Sequence, residues 1–261
     1  MTSAPPHDAF AALRHRDFSI VTLNQFCLTL AILIQEVMVA YVLYQLTRDP
    51  LVLGLIGLAE AIPFIALSLW GGYVADRFNR QRVMQICMLL ALPMPLLLSA
   101  LFTSHDQGGL THDQLAWGVY GVIFLLGTIR GFYNPSVSSL KPFLVPRDIY
   151  PNAATWTTIG WQSAVILGPV SGGLLLGYLG LHQTLYLVTG LLLLCSVLLV
   201  LLKKRQFPAI NHDSIWLSLQ EGFRFIFKTK IIFWSISLDL VSVLFGGVIA
   251  LLPIYAEDIL K

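Results

Sequence analysis

Apolar residues fill seven long stretches of the chain, at about residues 18–46, 51–75, 83–102, 115–138, 153–181, 183–202 and 231–256, with short polar breaks between them. Each holds roughly the 20 residues that a helix needs to cross about 30 Å of hydrocarbon. Within a stretch the apolar positions occupy every side of the helix, not one stripe. A soluble core helix seldom sustains that over such a length. The pattern predicts an all-α membrane protein. It divides the chain into a six-span bundle at 1–202, a cytoplasmic linker at 203–230 and a seventh span within 231–261.

Composition points the same way. The chain is 56% hydrophobic and 11% charged, with mean hydropathy +0.76, whereas a soluble domain is about 25% charged. Cys27, Cys87 and Cys195 all fall inside apolar stretches, without a metal-like or redox spacing, and read as small buried hydrophobes. Residues 1–17 carry Arg14, His15 and Arg16 but no apolar region ending in a cleavage site, so the first span is expected to act as its own insertion signal.

The basic residues sort by loop. Arg14 and Arg16 precede span 1. Arg77, Arg80 and Arg82 follow span 2, and Lys141 and Arg147 follow span 4. Lys203, Lys204, Arg205, Arg224, Lys228 and Lys230 follow span 6. These are 13 of the 16 Lys and Arg residues, all on one side. Basic loops are retained in the cytoplasm, so the N-terminus is expected inside and residue 261 outside. Within the linker, Asp213 can cap a helix starting near Ser214. Ile215, Trp216, Leu219, Phe223, Ile226 and Phe227 share one face, and Ser218, Glu221, Arg224 and Lys228 the other. This predicts a helix lying on the inner leaflet surface, or else a linker docked on the bundle.

Four ionisable side chains lie inside spans: Glu36, Glu60, Arg130 and Asp239. A charge at the centre of a membrane helix costs about 2.5–3.5 kcal/mol on insertion scales, so each should face protein or water. They are the candidates for substrate or proton chemistry, with structural ion pairing as the plain alternative. Asn24, Gln25 and Gln162 are weaker candidates for a cavity lining. Trp70, Trp156 and Trp161 are expected to anchor or pack. The six histidines are scattered over termini and loops, which argues against a metal site. No phosphate-binding glycine loop points to ATP as a fuel, no nucleophile–histidine pairing points to hydrolysis, and nothing points to nucleic acid.

Two local motifs go further. Gly71-Gly72-Tyr73-Val74-Ala75-Asp76-Arg77-Phe78-Asn79-Arg80-Gln81-Arg82 closes span 2 and opens the following basic loop. The glycines let another helix backbone come close. Asp76 can accept from the N–H groups at a neighbouring helix N-terminus, and the arginines can pair with acidic groups or lipid phosphates. This run resembles the loop 2–3 signature of the major facilitator superfamily, with Asn79 where the family usually has glycine. Asn suits the left-handed turn that such a glycine supports. In span 5, Gly168-Pro169-Val170-Ser171-Gly172-Gly173 resembles the helix 5 motif of antiporters in the same superfamily, and Gly160 and Ala164 extend its four-residue spacing. Softer likenesses, at residues 9–18, 130–135 and 239–253, are to the drug and siderophore exporter branch that includes the enterobactin exporter.

The resemblance implies a six-helix N-terminal half plus the first helix of a C-terminal half, seven of an expected twelve membrane helices. It implies a bacterial inner-membrane exporter of small amphipathic molecules, driven by a proton gradient without a cofactor. Its partners would be the bilayer, the substrate and the missing C-terminal half. Gly72, Asp76, Arg77, Arg80 and Arg82 would latch the two halves. Gly168, Pro169, Gly172 and Gly173 would shape helix 5, and helices 1 and 4 would line a central cavity. Arg130 resembles a helix 4 arginine of the drug-antiporter motif. The rival reading is a seven-span membrane sensor or assembly protein. A membrane-embedded enzyme would need His/Asp/Glu clusters at helix ends that the chain lacks.

Overall fold

The computed structural model describes residues 8–203 and 224–245. A 3-10 turn, Ala12–Arg14, leads into α1 (Arg16–Thr47). Then come α2 (Pro50–Arg77), α3 (Arg80–Ala91), α4 (Met94–Asp106) and α5 (His112–Leu140). A 3-10 turn at Lys141–Phe143 and another at Arg147–Ile149 connect α5 to α6 (Tyr150–Leu179), followed by α7 (Leu181–Val200). Residues 224–228 are helical, and α8 runs over Lys230–Phe245.

Six of these helical units are long and apolar enough to cross a membrane, among the described residues. They correspond to the first six stretches, with α3 and α4 forming one span, Arg80–Asp106. That span breaks at Leu92 and Pro93, where proline removes a backbone donor and prevents a continuous ladder. The seventh stretch is described only as far as Phe245, and its remainder lies outside the described residues. So does most of the linker helix expected from Ser214 to Lys228, of which only residues 224–228 are described.

Local chemistry sets the ends of the helices. Arg48 adopts a left-handed φ of 53° to close α1, and Asp49 caps α2 by accepting from Leu51 N–H at 2.9 Å. Thr111 and Gln114 exchange side-chain and backbone bonds in a capping box that starts α5. Gly180, with φ of 78°, turns the chain between α6 and α7.

Two tight pairs organise the bundle: α2 lies along α5, and α1 along α6. Glycine makes each approach possible. A Cβ on Gly71 would collide with the Gly131 carbonyl, and one on Gly127 with the Glu60 carbonyl, so α2 and α5 touch backbone to backbone. On α6, a Cβ at Gly168 would lie 2.6 Å from Leu33 Cβ, and one at Gly172 3.1 Å from the Ile34 carbonyl oxygen. Ala164, on the same stripe, is fully buried. Gly72 and Gly173 face open space among the described residues.

A buried polar knot joins three helices. The Tyr133 hydroxyl of α5 donates to Asn24 Oδ1 of α1 at 2.5 Å, and Asn24 Nδ2 donates to the Cys195 carbonyl of α7 at 2.7 Å. Outside, large apolar side chains such as Leu58, Ile62, Ile65 and Leu69 line one exposed flank of α2. An apolar surface of that extent suits hydrocarbon or another helix bundle better than water.

Candidate functional site

α1 and α5 touch each other little compared with the two tight pairs. Between them, with α6 as a third wall, lies a cavity of about 320 Å³. Its α1 wall includes Gln25, Leu28 and Glu36, its α5 wall Arg130, Asn134 and Ser138, and its α6 wall Trp161 and Val165. The volume falls at the small end of the range usual for small-molecule sites, about 300–1,000 Å³.

Successive spans cross in opposite directions, so α1 and α5 run antiparallel. Glu36, the last lining residue of α1, therefore meets Arg130, the first of α5, at one end. Gln25 and Ser138 mark the other end. Glu36 and Arg130 lie within electrostatic reach of each other. Arg130 also pairs directly with Glu60, which reaches it from α2 and is not among the residues lining the cavity. The Arg130 guanidinium further sits 5.7 Å from the centre of the Phe64 ring. One guanidinium thus forms part of the cavity wall and is held by a carboxylate of α2. Two carboxylates thus share one guanidinium at this end, and Glu60 is the one bonded to it directly.

A cation lies just beyond the opposite end, off the cavity wall but bonded to a residue that lines it. Lys141, one turn beyond Ser138, donates its Nζ to Gln25 Oε1. Asn24, expected as a weak cavity candidate, is instead committed to Tyr133 and Cys195 inside the bundle. Gln162 is exposed and off the cavity wall, whereas Trp161 forms part of it instead of only anchoring. Asp239 lies exposed on α8 and is not brought to the cavity. Lys141 was legible only as a loop charge, and Ser138 carried no signal at all. Neither follows from apolar periodicity.

The loop after α2 holds a second cluster. Asp76 pairs with Arg80 at 3.6 Å, one helical turn away in sequence, instead of meeting a neighbouring helix N-terminus among the described residues. Arg80 is buried, with its guanidinium 5.0 Å from the centre of the Phe143 ring. Arg77 stacks over Tyr73 at 4.6 Å, and Arg82 is exposed. Asn79 does not take the left-handed turn expected of it. Its φ is −65°, and its side chain caps α3 by accepting from Arg82 N–H at 3.3 Å. A capping side chain does here what a glycine cannot, because glycine has no oxygen to offer the orphan donors. Among the described residues no His, Cys, Asp or Glu cluster could hold a metal ion.

A six-span bundle with a polar cavity between its first and fourth crossings, and an Asp–Arg pair after its second, defines a class of polytopic membrane proteins. The sequence profile of the Major Facilitator Superfamily matches residues 21–261, and the chain belongs to that family. It is 28% identical over 208 residues to a multidrug resistance protein MdtG of Serratia proteamaculans (strain 568), covering 78% of this chain and 47% of that one. It is 26% identical over 208 residues to the protein of the same name from Citrobacter koseri, covering 78% of this chain and 48% of the relative. An uncharacterized MFS-type transporter, YfiS of Bacillus subtilis (strain 168), is 24% identical over 189 residues, with 70% and 42% covered. The chain thus spans about half the length of the curated relatives it matches.

Proposed function

We propose that the chain works in secondary active transport, exporting small amphipathic molecules by alternating access with proton entry as the driving force. One observation carries this reading: a polar cavity inside a membrane-spanning bundle presents Glu36 and Arg130 on facing helices. Glu36 is the proton carrier in this scheme. It faces the cavity, where it can exchange with water, and its protonation state changes the charge seen by a substrate. Glu60 is a positioning residue, because its carboxylate is held by Arg130 and is not part of the cavity lining. Several relatives bear the name multidrug resistance protein, which supports export of amphipathic compounds. Transport driven by a proton gradient needs no cofactor.

The basic loops support an N-terminus on the cytoplasmic side, and the bacterial relatives support an inner-membrane location. The Asp76–Arg80 pair then lies on the cytoplasmic face and serves as half of a latch. Its other half, and the second wall of the site, belong to a further six-helix bundle, for which relatives about twice this span have room. Rocking of two such bundles about a central site would expose the cavity to each side in turn. Everted vesicles test the scheme. Adding a transported amphiphile should dissipate an imposed proton gradient in vesicles with the protein and not in vesicles without it. An unchanged gradient during measurable substrate uptake would overturn proton coupling.

A further inference from the structure

We propose that Lys141 determines the specificity of the cavity, receiving the anionic head of an amphiphile whose apolar body lies along the wall. The proposal rests on reading the cavity as a substrate site.

The argument is one of charge accounting around the cavity. At the Glu36 end the only cation among the described residues, Arg130, is already taken by Glu60 and has Glu36 nearby. It has no charge left to offer a second anion. At the Gln25 end the situation is reversed. Lys141 is partly buried, and among the described residues no carboxylate forms an ion pair with it. Its partner is the neutral Gln25 side chain. An ammonium has three donors, and Gln25 satisfies one. A cation drawn away from bulk water without a counter-charge is costly, so a site of this kind favours an anion that completes it. Asn134 and Ser138 add hydrogen-bonding groups on the same wall, and Leu28, Val137, Val165 and Trp161 supply apolar surface beside them. Together they suit a carboxylate, sulfonate or phosphate carried on an apolar body. A lipid headgroup shares that chemistry, so the two sources must be told apart.

The test uses the full chain in nanodiscs and two versions of one fluorescent dye, one bearing a sulfonate and the other a trimethylammonium group. In phosphatidylcholine discs the wild type should bind the sulfonate more tightly. Lys141→Gln should weaken sulfonate binding about tenfold or more, since hydrogen bonds to charged groups are worth about 1.5–3 kcal/mol. Binding of the ammonium dye should hold or tighten, and Lys141→Arg should keep the sulfonate preference. Equal weakening of both dyes would reduce Lys141 to a structural tie and overturn the proposal, as would no change or a wild type that prefers the ammonium dye. Doping the discs with phosphatidylglycerol separates the sources. Undiminished sulfonate binding assigns the anion to substrate, and displacement would hand the site to lipid. Selective binding without proton-coupled transport would sink the transport scheme alone, while transport with unselective binding would sink only the role of Lys141.

Discussion

Arg130 and Glu60 meet across the contact of α5 with α2, at the level where Gly127 and Gly131 bring the two backbones together. The pair fixes the guanidinium while Arg130 still lines the cavity. Coupling between the two residues follows. In a double-mutant cycle with Glu60→Gln and Arg130→Gln, the losses in thermal stability should be strongly non-additive, with an interaction of about 1–3 kcal/mol. Additive losses would show that the pair is not held.

Gly71 and Gly72 should respond oppositely to substitution. Gly71→Val would drive a side chain into the Gly131 carbonyl, costing about 1–3 kcal/mol or more through overpacking. It should lower the midpoint of unfolding in detergent. Gly72→Ala enters open space and should leave that midpoint within the small range usual for surface changes, about ±0.5 kcal/mol. If Gly72 belongs to a latch between two bundles, its alanine variant should slow transport while stability is unchanged.

The Tyr133–Asn24–Cys195 knot should behave as scaffold. Tyr133→Phe removes the hydroxyl that reaches Asn24 Oδ1 and leaves a buried acceptor short of a partner. The expected loss is about 1–3 kcal/mol, read by thermal unfolding. Cys195→Ala should cost less on the hydrogen-bond side, because Asn24 uses the backbone carbonyl at that position.

Loop charge also predicts topology. A cysteine placed at Arg82 should react with a membrane-impermeant thiol reagent only in everted vesicles, and one placed at His105 only in intact spheroplasts. Labelling of both from one side would reverse the assignment of faces.

Much of this fold is written in the chain at low resolution. Runs of apolar residues longer than any soluble core helix needs mark the six spans, and the spacing of Gly168 and Gly172 marks a close-packing face on α6, though not that α1 is its partner. The caps at Asp49, Asn79 and Thr111 were not read from the chain, and the one that was, Asp213, lies outside the described residues. Asn79 shows the limit: its family position suggested a turn, but the chain turns without positive φ, and the amide serves as a cap. Partnering of charges was not legible. Nothing in the spacing of residues 60 and 130 says that they meet, since that depends on glycines that set the depth of α2 against α5. Nor could Lys141 be told from any other loop charge until the structure set it beside Gln25.

The most direct measurement is on Glu36. In everted vesicles with an imposed proton gradient, Glu36→Gln should abolish gradient-driven accumulation of substrate while leaving substrate exchange at equilibrium intact, because glutamine mimics the protonated side chain and keeps the cavity shape. Accumulation by Glu36→Gln at the wild-type rate would contradict the assignment of the proton to this cavity.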